Sequence, residues 1–429
     1  MRRIALATIL LTGCAATRQY PAPPILPSAS LIEKHGSTTA NASQFVPPNL
    51  AATAAPRNVL VLSGGGVNGA YTAGIIKGWT ASGTRPQFDV VTGVSTGALI
   101  APLAFLGPDY DAELERLYTS MRQDNVFRPR LHLLGFDSLV SSDPLAQQIA
   151  AGATPEILQK IAEAHHQGRR LYVGTTNLDT KKLVVWDLGA IATRDTPESR
   201  TLFQKVLLAS CSVPGLLPPV PIDVEIDGKR FTELHVDGGV TACMFLKPAM
   251  VGIGPNGEQP SEASPASVYV IVAGKLRQTA VPTKRELFSV AGESMIAVLQ
   301  AKTEGEATKL FMLARYAGAN FKLTGIPQDY EMPQNIMSFS QPTMRGLFDV
   351  GYRGGKDGTA WYSFPPELEE ERTAMPRSDT CFTTTLGTTL PTSWTPGNLR
   401  ITLGEETTNT PGSASPLDKL GIERLPLIR

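Results

Sequence analysis

Chemistry is legible first in the pentapeptide Gly93-Val94-Ser95-Thr96-Gly97. An apolar run, Val90 to Thr92, precedes it, and an Ala-rich apolar segment, Ala98 to Leu106, follows. A strand therefore enters a sharp turn and a helix leaves it. A serine on such a turn presents its hydroxyl beside a helix N-terminus, where free N–H groups and the helix dipole favour developing negative charge. That is the position of a nucleophile. A second loop, Gly64-Gly65-Gly66-Val67-Asn68-Gly69, lies between the apolar run Asn58–Leu62 and a small-residue segment, Ala70 to Thr80. Its glycines allow close approach and can aim backbone N–H groups at one point, as an oxyanion hole requires. The same loop matches the glycine fingerprint of dinucleotide-binding domains, with Asp89 twenty residues beyond Gly69. A nucleotide-binding domain would place that acid at the end of its second strand. Here Asp89 opens the strand that runs into Ser95.

A serine nucleophile needs a base. Of the five histidines, His35 lies in a Pro-rich segment, and His132, His165 and His166 fall in polar, surface-type stretches. His235 is the remaining candidate. It stands two residues before Asp237, so both face one side of a strand. Asp237-Gly238-Gly239 is either a strand-end carboxylate freed by two glycines or an ordinary turn. The two bases differ in titration. An aspartate of ordinary pKa, about 3.9, is ionised across neutral pH, whereas a histidine base is lost below about 6.5.

The elements that position these residues read as alternating strands and helices from Arg57 onward, which predicts an α/β domain with a mainly parallel sheet. Strands are expected at 58–62, 90–92, 171–176, 182–187 and 267–273. Helices are expected at 70–80 with Gly83 as cap, 98–106 with a kink at Pro102, 111–122, 144–150, 155–166, 200–209, 284–299, 307–316 and 344–352. Asp227-Gly228 within Pro221–Asp237 predicts a type I′ hairpin.

The 429 residues carry no net formal charge, and nothing in that balance suggests a nucleic-acid partner. Residues 1–13 read as a signal peptide: Arg2 and Arg3, then an apolar run too short to span a bilayer. It ends in Leu11-Thr12-Gly13-Cys14, which resembles the lipobox of bacterial lipoproteins, with Cys14 as the lipidated residue. Ala15 after the cysteine implies, by that resemblance, sorting to the outer membrane. Residues 14–56 read as a Pro/Ala/Ser-rich tether, 57–365 as the folded domain and 366–429 as a Thr/Pro/Ser-rich tail. Cys211, Cys243 and Cys381 allow at most one intramolecular disulfide. There is no metal-ligand spacing, and no cofactor is expected.

Taken in order, the Gly64–Gly69 loop, the Gly93–Gly97 turn and Asp237-Gly238-Gly239 resemble the patatin-like phospholipases. Two further blocks agree: Ala209–Gly215 with Pro218-Pro219, and Leu347–Tyr352. The resemblance covers residues 57–365. It implies a three-layer α/β/α fold and a Ser–Asp dyad, with Ser95 as nucleophile and Asp237 as base. Amides of Gly65 and Gly66 would form the oxyanion hole. The reaction would hydrolyse an acyl ester, with a membrane lipid or similar ester as substrate and the membrane as partner through the lipid on Cys14. Where the family often places Arg or Lys, this chain has Asn68, which either weakens phosphate recognition or caps the following helix. Two other classes compete with this reading: a nucleotide-binding domain, and a non-catalytic envelope scaffold of the same fold.

Overall fold

The computed structural model describes residues 18–23, 57–129, 138, 140–226, 228–254, 256–260, 265–277, 282–332 and 339–368. Cys14, most of the tether, nearly all of the tail and Asp227 at the hairpin turn lie outside the described residues. Contacts divide the chain after Met375, and every described residue belongs to the first unit.

The strands are β1 (Asn58–Leu62), β2 (Val90–Val94), a short ribbon of β3 (Arg128–Pro129) and β4 (Val140–Ser141), β5 (Arg170–Asn177), β6 (Lys182–Asp187), β7 (Val220–Ile226), β8 (Lys229–Asp237), β9 (Ser267–Lys275) and β10 (Asn320–Ile326). The helices are α1 (Gly69–Ala81), α2 (Thr96–Leu106), α3 (Asp111–Ser120), α4 (Gln123–Val126), α5 (Asp143–Gly152), α6 (Pro155–His166), α7 (Leu188–Ala192), α8 (Pro197–Ser210), α9 (Leu287–Tyr316) and α10 (Gln341–Asp357).

The main sheet runs β10-β9-β1-β2-β5-β8-β7, with β6 also paired to β5. From β10 to β5 every pairing is parallel. The β6, β7 and β8 pairings are antiparallel. Successive side chains of a strand face opposite ways, and both faces here are buried. Leu60, Leu62, Val91, Leu171 and Val173 join the core that includes residues of α1, α2 and α10. Val59, Val61, Val90, Val268 and Val270 join a second core with Leu310 and Ala314 of α9. The sheet is thus the middle of three layers, as expected.

The short elements β3, β4, α4 and α7 were not expected from the sequence, and three further features differ from its reading. The small residues of α1 serve a helix partner as well as the sheet. A Cβ on Gly74 or Gly78 would collide with the α10 backbone at Phe348 and Tyr352, and one on Gly351 or Gly355 would collide with α1. The stretches 284–299 and 307–316 are one helix of 30 residues, α9, because the polar linker and Gly305 do not interrupt it. Strand β10 follows α9 directly through Ala317–Ala319, and its buried residues Phe321, Leu323 and Ile326 sit among interspersed polar ones.

Candidate active site

Strand β5 brings the two key side chains together. Its one edge is filled by β6 from Tyr172 to Asn177. Its other edge is shared: β2 pairs with Arg170–Gly174, and β8 pairs with Thr175–Asn177 from the opposite direction. Val94 stands opposite Gly174, and Asp237 stands opposite Thr175. The two strands meet end to end, and the residues at their ends, Ser95 and Asp237, face one another. Ser95 Oγ donates a hydrogen bond to Asp237 Oδ2 at 2.6 Å.

Ser95 has φ 54° and ψ −125°, an unusual conformation for a residue with a side chain. Such strain persists only when neighbours over-determine it. The neighbours come from the segment that ends α8. Ser210 Oγ accepts from the Ser95 amide at 2.9 Å and donates to the Gly174 carbonyl at 2.7 Å. Cys211 Sγ lies 3.3 Å from the Ser95 carbonyl oxygen as donor. The Asp237 amide donates to the Ser212 carbonyl at 2.9 Å. One short segment therefore fixes both ends of the pair. The Ala209–Gly215 block was visible in the sequence, but nothing there assigned it this task. Ser210→Ala is expected to lower kcat on a soluble ester about tenfold with KM little changed, because it frees the Ser95 turn without altering the pocket. A KM effect with unchanged kcat would contradict that role.

The carboxylate is buried, and burial pushes Asp237 up from the ordinary 3.8 to about 6; bonds from Ser95 Oγ and the Gly239 amide, and the charge of Lys302, oppose the rise. Gly239 N donates to Oδ1 at 2.7 Å, and Lys302 Nζ donates to the Gly239 carbonyl at 2.8 Å. Asp237 is therefore no aspartate of ordinary pKa. A midpoint near 6 falls close to that of an ordinary histidine, so the pH profile does not separate the two bases as the sequence suggested.

Geometry does separate them. His235 is fully buried, and its ring nitrogens are both engaged away from Ser95: Nδ1 with Thr175 Oγ1 and Nε2 with Glu233 Oε2, each at 2.9 Å. Trp186 Nε1 also donates to Thr175 Oγ1 at 2.8 Å. His235 belongs to a structural network under the strand that ends in Asp237. His165, expected at the surface, is instead half-buried, with its pKa lowered to about 4 chiefly by burial.

The glycine loop lies beside the serine. A Cβ on Gly64 would come 3.0 Å from Ser95 Cβ, and one on Gly65 would collide with the Ala273 carbonyl of β9. Only a glycine at 65 lets the loop rest on that strand. The Gly64 amide is taken by the Cys243 carbonyl at 3.0 Å. Among the described residues no acceptor is found for the Gly65 amide, and Gly66 begins a 3-10 turn, where the amide has no partner within the turn. Gly69 and Gly97 allow the two loops to pack: Gly69 touches Thr96, and Gly97 touches the carbonyls of Leu62 and Ser63. Gly93 sits against Gly97, and Gly238 against the Gly174 carbonyl. Asn68 makes no capping bond to α1; it is buried, and its Oδ1 has no partner among the described residues. The capping role read from the sequence is not found.

Cys211 and Cys243 are buried and free. Among the described residues there is no cluster of side chains fit to hold a metal ion.

The fold and site together define an α/β domain with a serine at a strained strand-to-helix turn, bonded directly to an aspartate. Residues 60–250 match the family model described as patatin-like phospholipase. The chain is also similar to the cUMP-AMP-activated phospholipase of Escherichia coli, at 47% identity over 64 residues, which are 14% of this chain and 20% of that protein. It thus spans about a fifth of the length of that relative. Among solved structures it is similar to VipD from Legionella pneumophila, at 13% identity over 72% of this chain and 68% of that one, with a TM-score of 0.33. It is also similar to the type III effector protein ExoU, at 16% identity over 75% and 57%, with a TM-score of 0.18.

Proposed function

We propose that this protein hydrolyses carboxylic esters of membrane lipids with a Ser95–Asp237 dyad, through an acyl-serine intermediate. The observation that carries the reading is the 2.6 Å bond between Ser95 Oγ and Asp237 Oδ2 at a strained turn. Ionised Asp237 takes the Ser95 proton as Oγ attacks the ester carbonyl. The amides of Gly65 and Gly66, with the α2 N-terminus beside Ser95, receive the negative charge on the carbonyl oxygen. Collapse breaks the ester bond, and the proton held by Asp237 passes to the departing alkoxide. Asp237 then takes a proton from water as its oxygen attacks the acyl-serine; the acyl–Oγ bond breaks, Asp237 returns the proton to Ser95 Oγ, and the fatty acid leaves. Lipidation at Cys14 would hold the domain at a bacterial outer membrane, beside its substrate.

A fluorophosphonate probe tests the nucleophile. Peptide mapping should place one adduct on Ser95 Oγ, and wild-type protein should release fatty acid from phospholipid. A protein that takes no probe and releases no fatty acid is the non-catalytic scaffold. Intact-mass measurement of the membrane fraction reads the lipid on Cys14 in the same preparation.

A further inference from the structure

The first half of α9 is built unlike the rest of the molecule. From Ala307 onward the helix packs on the sheet through Leu310 and Ala314. Upstream, every residue from Gly292 to Leu299 is exposed, more than a full turn of helix. That stretch holds Met295 at 60% exposure, Val298 at 62%, Ile296 and Leu299, with Val290 exposed one turn earlier. A helix with apolar residues all round normally lies in an apolar environment.

Its placement indicates which one. Gln300 Nε2 lies 3.4 Å from the carbonyls of Lys275 and Leu276, where β9 ends. Lys302 reaches the Gly239 carbonyl beside Asp237. Residues 287–299 therefore extend past the sheet edge that carries Ser95, by roughly 20 Å at 1.5 Å per residue.

A second element projects from the same edge. β8 runs outward from Asp237 past the end of β5, and Thr232, five residues away, stands roughly 17 Å out. The chain near its N-terminus is fastened there. Arg18 pairs with Asp179 at 2.6 Å, Tyr20 N donates to Thr232 Oγ1 at 3.1 Å, and Thr232 N donates to the Pro21 carbonyl at 3.0 Å. The start of the expected tether is thus bound to the body. Cys14 is four residues before Arg18 and can lie no more than roughly 14 Å from it. An acyl chain on Cys14 would enter a membrane facing the Ser95 edge.

We propose that this edge docks on a lipid bilayer, with the first half of α9 lying in the interface and the Arg18–Pro21 clip fixing the orientation. The proposal rests on the reading of the site as a lipid hydrolase. It names the surface from which the substrate enters. Val240 and Val213, exposed beside the Gly239 and Ser212 that hold Asp237, belong to the same face. Among the described residues no helix is long and apolar enough to cross a membrane, so the contact is one of surface insertion.

The test uses the full chain carrying Cys14→Ser, so that no anchor contributes, and Ser95→Ala for binding. Met295→Glu/Val298→Glu should weaken co-sedimentation with phosphatidylethanolamine–phosphatidylglycerol vesicles at least tenfold. Met312→Glu, on the exposed face of the half that packs on the sheet, should leave it unchanged. With Ser95 intact, the double variant should lose vesicle phospholipid turnover about tenfold and keep turnover of a short soluble ester. As a second reading, Val298→Trp should be quenched by vesicles with brominated acyl chains, and Met312→Trp should not. Equal binding by the double variant and its parent would overturn the proposal. So would a double variant that converts a dimer to a monomer with binding unchanged. If wild-type protein hydrolyses no ester at all, the hydrolase reading falls, while sedimentation and quenching of the Ser95→Ala chain still decide the docking surface.

Discussion

Asp237→Asn and Ser95→Ala are each expected to lower kcat/KM on a soluble ester by roughly 10³- to 10⁴-fold, while His235→Ala stays within tenfold of wild type. The difference follows from who touches Ser95. Its hydroxyl has one strong acceptor, Oδ2 of the buried Asp237. Asparagine keeps the shape and can keep the Gly239 amide bond through its carbonyl oxygen, yet it takes no proton. His235 bonds to Thr175 and Glu233 and makes no bond to Ser95. Its loss leaves a buried cavity and removes the bonds to Thr175 and Glu233, so it costs about 2–4 kcal/mol of stability. The assay is kcat/KM at about pH 8, with thermal melts showing each variant folded. The nearly additive outcome expected of independent residues should not appear: Ser95→Ala/Asp237→Asn should be no worse than Ser95→Ala alone, because the two act as a unit. A folded His235→Ala with the larger loss would return the base to the histidine.

Much of this site was legible because local signals and global fold agreed. The strand, Ser95 and helix of 90–106, and the strand and glycine loop of 58–69, are short-range patterns, and each appears where expected. Asp237 was legible only through the ordered set of motifs. Its own surroundings read equally well as a turn, because the end-to-end meeting of β2 and β8 on one edge of β5 is a long-range event. Ser210 and Lys302 were hidden for the same reason: nothing near Ser210 in sequence shows that it bonds the Ser95 amide across 115 positions. The Asn68 side chain shows the reverse failure, since a sound local rule for helix caps lost to burial in the loop. The α9 break was a failure of propensity. A polar stretch with a glycine looked like a linker, but Gln300, Lys302 and Glu306 are anchored to the body at Lys275, Gly239 and Met244.

kcat/KM should fall tenfold per pH unit below about 6 and level off above it, with the same midpoint in His235→Ala. Only the ionised carboxylate can accept the Ser95 proton, and burial places its midpoint at about 6. The two thiols nearest it titrate above this range: Cys211 is raised by burial and by Asp237 itself, and Cys243 is raised chiefly by burial. The same carboxylate makes an opposite prediction for stability. Its folded pKa is raised, so the native protein holds the proton more tightly than the unfolded chain. Between about 4 and 6 the native state binds more protons, and stability falls as pH rises through that window. Above about 6 the full cost is present, on the order of 3 kcal/mol for a rise from 3.8 to about 6. Asp237→Asn removes a group that must ionise in a buried place. It should therefore be more stable than wild type by about 1–3 kcal/mol at about pH 8, and gain little or nothing at about pH 4, where the wild-type carboxyl is already protonated. Denaturant unfolding of both proteins at the two pH values measures this directly. A stability difference independent of pH would show that Asp237 does not ionise at a raised midpoint, and an acid limb of kcat/KM near 4 would agree with that result. An inactive variant that is the more stable protein only where the enzyme is active would place the strain of the fold on the carboxylate proposed as the base.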